Sequence, residues 1–303
     1  MLKKILLTLL FMLCKLQVAI AAPPAVSIVD DSGQRVVLQN PAQRIIALSP
    51  HVVETLFVAG AGNKIVGAVE YSDYPKAAKS IPRIGAYSQI NLEAIIALRP
   101  DLIIAWETGN SAAAIEKLRM LGIPVYLSQP NTLDDIGAEI QRFGTLAGTE
   151  AIANKATDQY MQHLSTLKQR YQSQPSVRIF YQISEAPLMT IGGKQIISNA
   201  LSVCGGENIF NSLKPMAAII TAEAVIAANP EAIMTSGMQS INPKELNFWK
   251  KFPLLTATQR NNFFYIDSDL VNRNGPRLLQ GTQQICSALQ TARSRRPKSS
   301  TTQ

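Results

Sequence analysis

Four aromatic side chains fall in loops that follow apolar, strand-like stretches: Tyr71 and Tyr74 in VEYSDYP, Tyr87 in GAYSQIN and Trp106 in IAWETGN. Their chemistry is recognition rather than reaction. Aromatic faces offer a large contact area at little entropic cost, so four of them at one edge suit a large, flat, partly apolar ligand. Further along, PLMTIGG carries Met189, and YIDSDLVNRNGP carries Asp269 and Arg273. That pair is suited to hydrogen-bonding amide or carboxylate groups on a ligand rim, or alternatively to closing its own loop as a surface ion pair.

Groups for bond-breaking chemistry are sparse. The two histidines are His163, in a long helical stretch where solvation is expected, and His51, at a helix start, with axial metal ligation as the alternative. No GxSxG, HExxH or phosphate-binding glycine loop is present. GAGNKIVG (60–67) lacks the third glycine of a dinucleotide fingerprint and reads as a turn. No catalytic set, no metal-ligating set and no cofactor is assigned.

The elements that must hold these residues alternate. RIIALSP from Arg44 reads as a strand, HVVETLFVAGAG as an amphipathic helix closed by glycines, and KIVGAVEYSDYP as a strand running into an aromatic loop. NLEAIIALRPDLIIAW (91–106) gives an N-cap at Asn91, an acid in the first turn at Glu93, a stop at Pro100, and a strand ending in Trp106. SAAAIEKLRMLGIPVYLS repeats helix and strand, and residues 149–174 stay helical without Gly or Pro. After Pro175 the order restarts: RIFYQIS (178–184) echoes RIIALSP, and TAEAVIAANPEAIMTS (221–236) echoes residues 91–106 at nearly the same offset, with Glu223 in place of Glu93. Strand–helix alternation predicts parallel sheets with right-handed crossovers. The expected fold is α/β, two Rossmann-like lobes, each with a central parallel sheet, bridged by one long helix and facing each other across a crevice.

Composition agrees with a globular, exported protein. The 303 residues are 47% apolar and 17% charged. MLKKILLTLLFMLCKLQVAIAA has the basic start, apolar run and Ala-x-Ala end of a secretory signal. Without it two cysteines remain, Cys204 and Cys286, an even count that in an oxidising compartment favours a disulfide over two buried thiols. The formal net charge of +8 is concentrated in the leader and in the last residues. Setting those aside leaves the body close to neutral, which excludes a nucleic-acid-binding face.

The expected organisation is therefore a signal peptide at 1–21, an N-terminal lobe at 22–148, a bridging helix at 149–174, a C-terminal lobe at 175–290 and a disordered basic tail at 291–303. From Arg44 to Leu289 the sequence resembles the periplasmic binding proteins of ABC importers whose lobes share one long helix. YSDYP, NLEAIIALRPDLIIAW, VCGGENIF and NGPR…QQIC look most like the cobalamin-binding branch.

The resemblance implies that Tyr71, Tyr87 and Trp106 contact a corrinoid from one side and that Asp269 and Arg273 lie on a polar rim loop. It places Cys204 and Cys286 on a disulfide, and Glu93 and Glu223 on the two glutamates that dock onto the membrane permease subunits. Tyr87 replaces a tryptophan of that branch, Met189 an aromatic and Ala217 another tryptophan, so the second wall is thinner. A haem or ferric-siderophore binder is the alternative cargo reading; a haem ligand would come from Tyr87 or His51. A monomer is expected. An exported enzyme on the same scaffold would need a titratable constellation that Asp269, Arg273 and His51 alone do not supply.

Overall fold

The computed structural model describes residues 26–237 and 243–297. The expected signal peptide lies outside them. In the first lobe β1 (Val26–Val29) and β2 (Arg35–Leu38) form an antiparallel ribbon. The sheet follows: β3 (Ile45–Ala47), α1 (Pro50–Val58), β4 (Ile65–Ala68), a two-residue ribbon of β5 (Gly85–Ala86) and β6 (Gln89–Ile90), α2 (Leu92–Ala97), β7 (Leu102–Trp106), α3 (Ala112–Met120) and β8 (Val125–Ser128). Its order is β4-β3-β7-β8, all parallel. Burial on both faces explains why these strands read as continuous apolar runs. The chain moves outward from β3 in both directions, so the topological switch lies between the carboxyl ends of β3 and β7, where open α/β sheets bind ligands.

Two helices carry the chain across. In α4 (Leu133–Ala147) a capping box of Thr132 and Asp135 starts the helix, and Gly148, at φ 66°, ends it. The long helix α5 (Glu150–Tyr171) has 22 residues and spans about 33 Å. It is shorter at both ends than residues 149–174. Gly144 lets α4 approach α5 closely, since a Cβ there would lie 2.1 Å from that of Ala153. Tyr160, Leu164, Leu167 and Tyr171 of α5 belong to one core that also contains Ile45 and Leu56 of the first lobe and Ile179 and Leu289 of the second. A shared core makes the bridge a packed joint rather than a free linker.

The second lobe contains β9 (Val177–Glu185), β10 (Leu188–Ile191), α6 (Ile196–Val203), β11 (Gly206–Asn208), β12 (Ala217–Ile219), α7 (Ala222–Ala228), β13 (Ala232–Gly237), α8 (Thr256–Gln259), β14 (Phe263–Asp267), α9 (Ser268–Val271) and α10 (Leu278–Ser294). β9, β13 and β14 form the parallel part, with β11 parallel along the first half of the other edge of β9. β10 and β12 add antiparallel strands to its second half. Sequence periodicity did not separate this edge from the parallel core: only two residues join β9 to β10, a link that permits a hairpin and no crossover.

Cys204, at the end of α6, is bonded to Cys286 of α10 across a sequence separation of 82. In the loop-entropy account such a link is worth about 4.5 kcal/mol. The expected disordered tail from residue 291 is corrected in part, because α10 continues to Ser294. Arg293 is buried and donates to the carbonyls of Pro175 (2.8 Å) and Cys204 (2.7 Å), while Arg296 grips Glu231 at 2.7 and 2.8 Å. These arginines belong to the body, which is therefore more basic than expected. Residues 298–303 lie outside the described chain.

Candidate functional site

Trp106 ends β7 beside the switch point, and its surroundings are assembled by Asn110, a residue that sequence reading passed over. Buried Asn110 accepts from the Trp106 backbone N–H through Oδ1 (2.6 Å) and donates through Nδ2 to the carbonyls of Leu48 (3.0 Å) and Tyr87 (2.7 Å). One amide thus ties together the loops after β3 and β7 and the turn between β5 and β6. Tyr87 is brought to Trp106 with ring centroids 5.7 Å apart and planes tilted by 50°. Tyr87 is 41% exposed, so this pair presents aromatic surface to solvent. Gly109 passes beneath the indole, since a Cβ there would lie 1.8 Å from Cε3.

The YSDYP loop is held differently. Arg83 donates to the carbonyls of Ser72 and Ile81, both at 2.7 Å. Tyr71 stands 72% exposed at φ 63°, a left-handed conformation disfavoured for a bulky residue. Tyr74, 45% exposed, carries the Arg277 guanidinium 4.0 Å above one face of its ring. Asp73 accepts from Arg273 at 3.0 Å. Burial alone would raise the Asp73 carboxyl; the hydrogen bond and charge of Arg273 outweigh it and hold the group below its ordinary value.

Arg273 and Arg277 belong to the second lobe, and both reach Glu54 on α1 of the first. Glu54 is 2% exposed and accepts from Arg273 Nη1 (3.0 Å), Arg277 Nε (2.8 Å) and Arg277 Nη2 (2.7 Å). The arginine pair and the two acids form an interlobe clasp. Arg273 is committed to it, with Asp269 a further 3.6 Å contact whose side chain stays 63% exposed. Sequence spacing held no sign of this clasp, because its partners lie about two hundred positions apart.

On the second lobe Met189 is half-buried on β10, opposite Ile219 of β12, which is 69% exposed. Ala217 is exposed and adds little surface. The other tryptophan, Trp249, is fully buried with Nε1 donating to Gln182 at 2.8 Å, so it belongs to the core rather than to the site.

A family model described as periplasmic binding protein matches residues 45–270. The chain belongs to the periplasmic binding protein family. It is 37% identical over 257 residues to the vitamin B12-binding protein of Vibrio campbellii, covering 85% of this chain and 93% of that one. It is also similar to the crystal structure of the periplasmic vitamin B12 binding protein BtuF of Vibrio cholerae: TM-score 0.76, 36% identity, 84% of this chain and 98% of that one. The periplasmic heme binding protein HutB of Vibrio cholerae shares the fold at 20% identity and TM-score 0.70, covering 82% and 98%.

As a periplasmic binding protein the chain is a carrier and not an enzyme. The docking candidates head α2 and α7. Glu93 and Glu223 are both exposed in first turns capped by Asn91 and Thr221. Its own backbone and the Thr221 hydroxyl hold Glu223 below the usual carboxylate range. His163 is exposed on α5. His51 is unsuited to the haem-ligand alternative because it is only 4% exposed, behind Trp106; the same burial lowers its pKa to about 3.

Proposed function

We propose that this periplasmic protein captures cobalamin in the crevice between its lobes and delivers it to an ABC importer. The observation that carries this reading is the likeness, over nearly the whole chain, to vitamin B12-binding proteins. The site agrees with it: Trp106 and Tyr87 offer one face of the corrin a broad aromatic surface, with Tyr71 at its margin. Met189 takes the opposite side, and Asp269 and Arg273 serve the amide rim. Arg273 does so while bound to Glu54 and Asp73.

The protein acts as a monomer after loss of residues 1–21, with lobes at 22–148 and 175–290 joined by the helix between them. Glu93 and Glu223 engage one permease subunit each. Matching acids on matching helix ends support this, because a transporter with two like subunits needs the same contact twice.

Titration calorimetry of the mature protein with cyanocobalamin, haemin and a ferric siderophore tests the cargo. One-to-one binding of cyanocobalamin alone is expected. Heat with haemin and none with cobalamin would replace this reading by the haem one, with Tyr87 as the exposed candidate ligand.

A further inference from the structure

We infer that His51 is a positioning residue for the ligand platform: its buried imidazole sets the orientation of Trp106, and through it the affinity of the cleft, without touching the ligand. The affinity part rests on the cobalamin reading above.

The starting point is an unpaired donor. Trp106 Nε1 is buried with no hydrogen-bond partner among the described residues, whereas a buried tryptophan N–H ordinarily finds one. The ring is therefore not oriented by a hydrogen bond of its own, and packing must decide. Three neighbours lie directly against the indole. Gly109 contributes only backbone, and Tyr87 is itself partly exposed. His51 remains, with its ring perpendicular to the indole at 5.7 Å.

His51 is itself immobilised from both sides. Ser49 Oγ lies 2.8 Å from Nδ1 and 3.3 Å from Nε2, and Ser128 Oγ 3.3 Å from Nε2, so both ring nitrogens have hydroxyl neighbours. The second lobe passes close by it: a Cβ on Gly275 would lie 3.3 Å from that of His51. Behind Ser128 sits fully buried Glu139, which burial raises to about 8 and so keeps protonated at neutral pH. Burial keeps His51 uncharged as well. An uncharged ring held at two nitrogens is a rigid wedge against the indole, and it needs no counter-ion. At 4% exposure it is too deep to be a ligand contact.

Spectroscopy separates this role from simple stability. The chain has two tryptophans, and Trp249 lies in the core of the second lobe, so a Trp106→Phe reference isolates the Trp106 signal. Emission and iodide quenching are measured on ligand-free wild type, His51→Gln and His51→Phe, and the cobalamin Kd by calorimetry.

Gln keeps polar partners for the serines but removes the ring. It is expected to shift Trp106 emission, raise its quenching and weaken cobalamin binding about tenfold, the scale of one aromatic contact. Phe keeps the ring but loses its hydroxyl contacts, and is expected to recover most of both readouts, with the Kd within about threefold of wild type. A folded Gln variant with unchanged Trp106 emission and Kd overturns the inference, and so do equal losses in Gln and Phe. Should the His51 variants fail to fold, Ser128→Ala, which removes one of the two hydroxyls at Nε2 and leaves the ring in place, must give a smaller spectral shift in the same direction; no shift overturns it. A wild type that ignores cobalamin while His51→Gln still shifts Trp106 emission sinks the cargo reading alone and leaves the positioning role standing.

Discussion

The helix–proline–strand units at 91–106 and 221–236 share backbone detail that reaches single dihedral angles. Asn91 and Thr221 each accept from the N–H three residues on, at 3.0 and 3.3 Å. Each helix leaves through a left-handed residue before the proline, Arg99 at φ 46° and Asn229 at φ 43°. After the proline, Asp101 N–H donates to the Arg44 carbonyl and Glu231 N–H to the Arg178 carbonyl. The two units diverge in their side chains. Asp101 accepts from the backbone of Gln43 and Arg44, whereas Glu231 is gripped by Arg260 and Arg296. β7 ends in Trp106, and no exposed aromatic occupies the matching end of β13 among the described residues. The two units thus repeat their backbone geometry and differ in what their side chains hold.

On the docking reading proposed above, the two units do the same job, and this gives the largest expected effect. Reversing Glu93 and Glu223 together to Lys is expected to abolish cobalamin uptake into transporter-bearing vesicles while the Kd stays at the wild-type value. Each single reversal should cost uptake to a similar degree. A variant in which one reversal does all the damage breaks the equivalence of the two units.

A second contrast sets one acid against another. Glu54 and Glu231 are each held by two arginines, the first across the lobes at 2% exposure and the second within one lobe at 14%. Replacing Arg273 and Arg277 by Ala strands a fully buried carboxylate and is expected to cost about 3–5 kcal/mol in urea unfolding of the ligand-free protein. Replacing Arg260 and Arg296 should cost about 1–2 kcal/mol, because water reaches Glu231 more easily. Equal losses would mean that the interlobe position of Glu54 adds nothing.

Next come the two walls of the crevice. Trp106→Ala removes an aromatic anchor and is expected to weaken cobalamin binding by about 2 kcal/mol, roughly thirtyfold, whereas Met189→Ala should cost under about 1 kcal/mol. Calorimetry on both variants checks the ratio. Comparable losses would show that the second lobe contributes as much as the first despite its aliphatic surface.

The alternation of elements, the repeat and the aromatics at the strand ends were legible because each rests on local signals. Caps, prolines and apolar runs act within a few residues, and Trp106 follows directly from the end of a buried strand. The residues that complete the site act over long separations. Asn110 reaches Leu48 and Tyr87, and Glu54 reaches Arg273 and Arg277, through contacts that only the folded chain creates. Arg293 misled for the same reason: a charged residue before a polar end reads as tail, yet its donors satisfy the carbonyls of Pro175 and Cys204.

The smallest expected effect probes the repeated helix exits. Arg99 holds a left-handed conformation with a side chain that disfavours it, so Arg99→Gly relieves strain and is expected to stabilise the protein by about 0.5–1 kcal/mol. Asn229 tolerates that conformation better, and its Oδ1 also accepts from the Thr256 N–H at 2.9 Å. Asn229→Gly relieves little and loses that bond, so it is expected to destabilise by about 0.5–1 kcal/mol. Thermal melts of the two variants should therefore move in opposite directions from wild type. The same backbone angle then has opposite consequences in the two lobes, because in one it is only a turn and in the other it also anchors the start of α8.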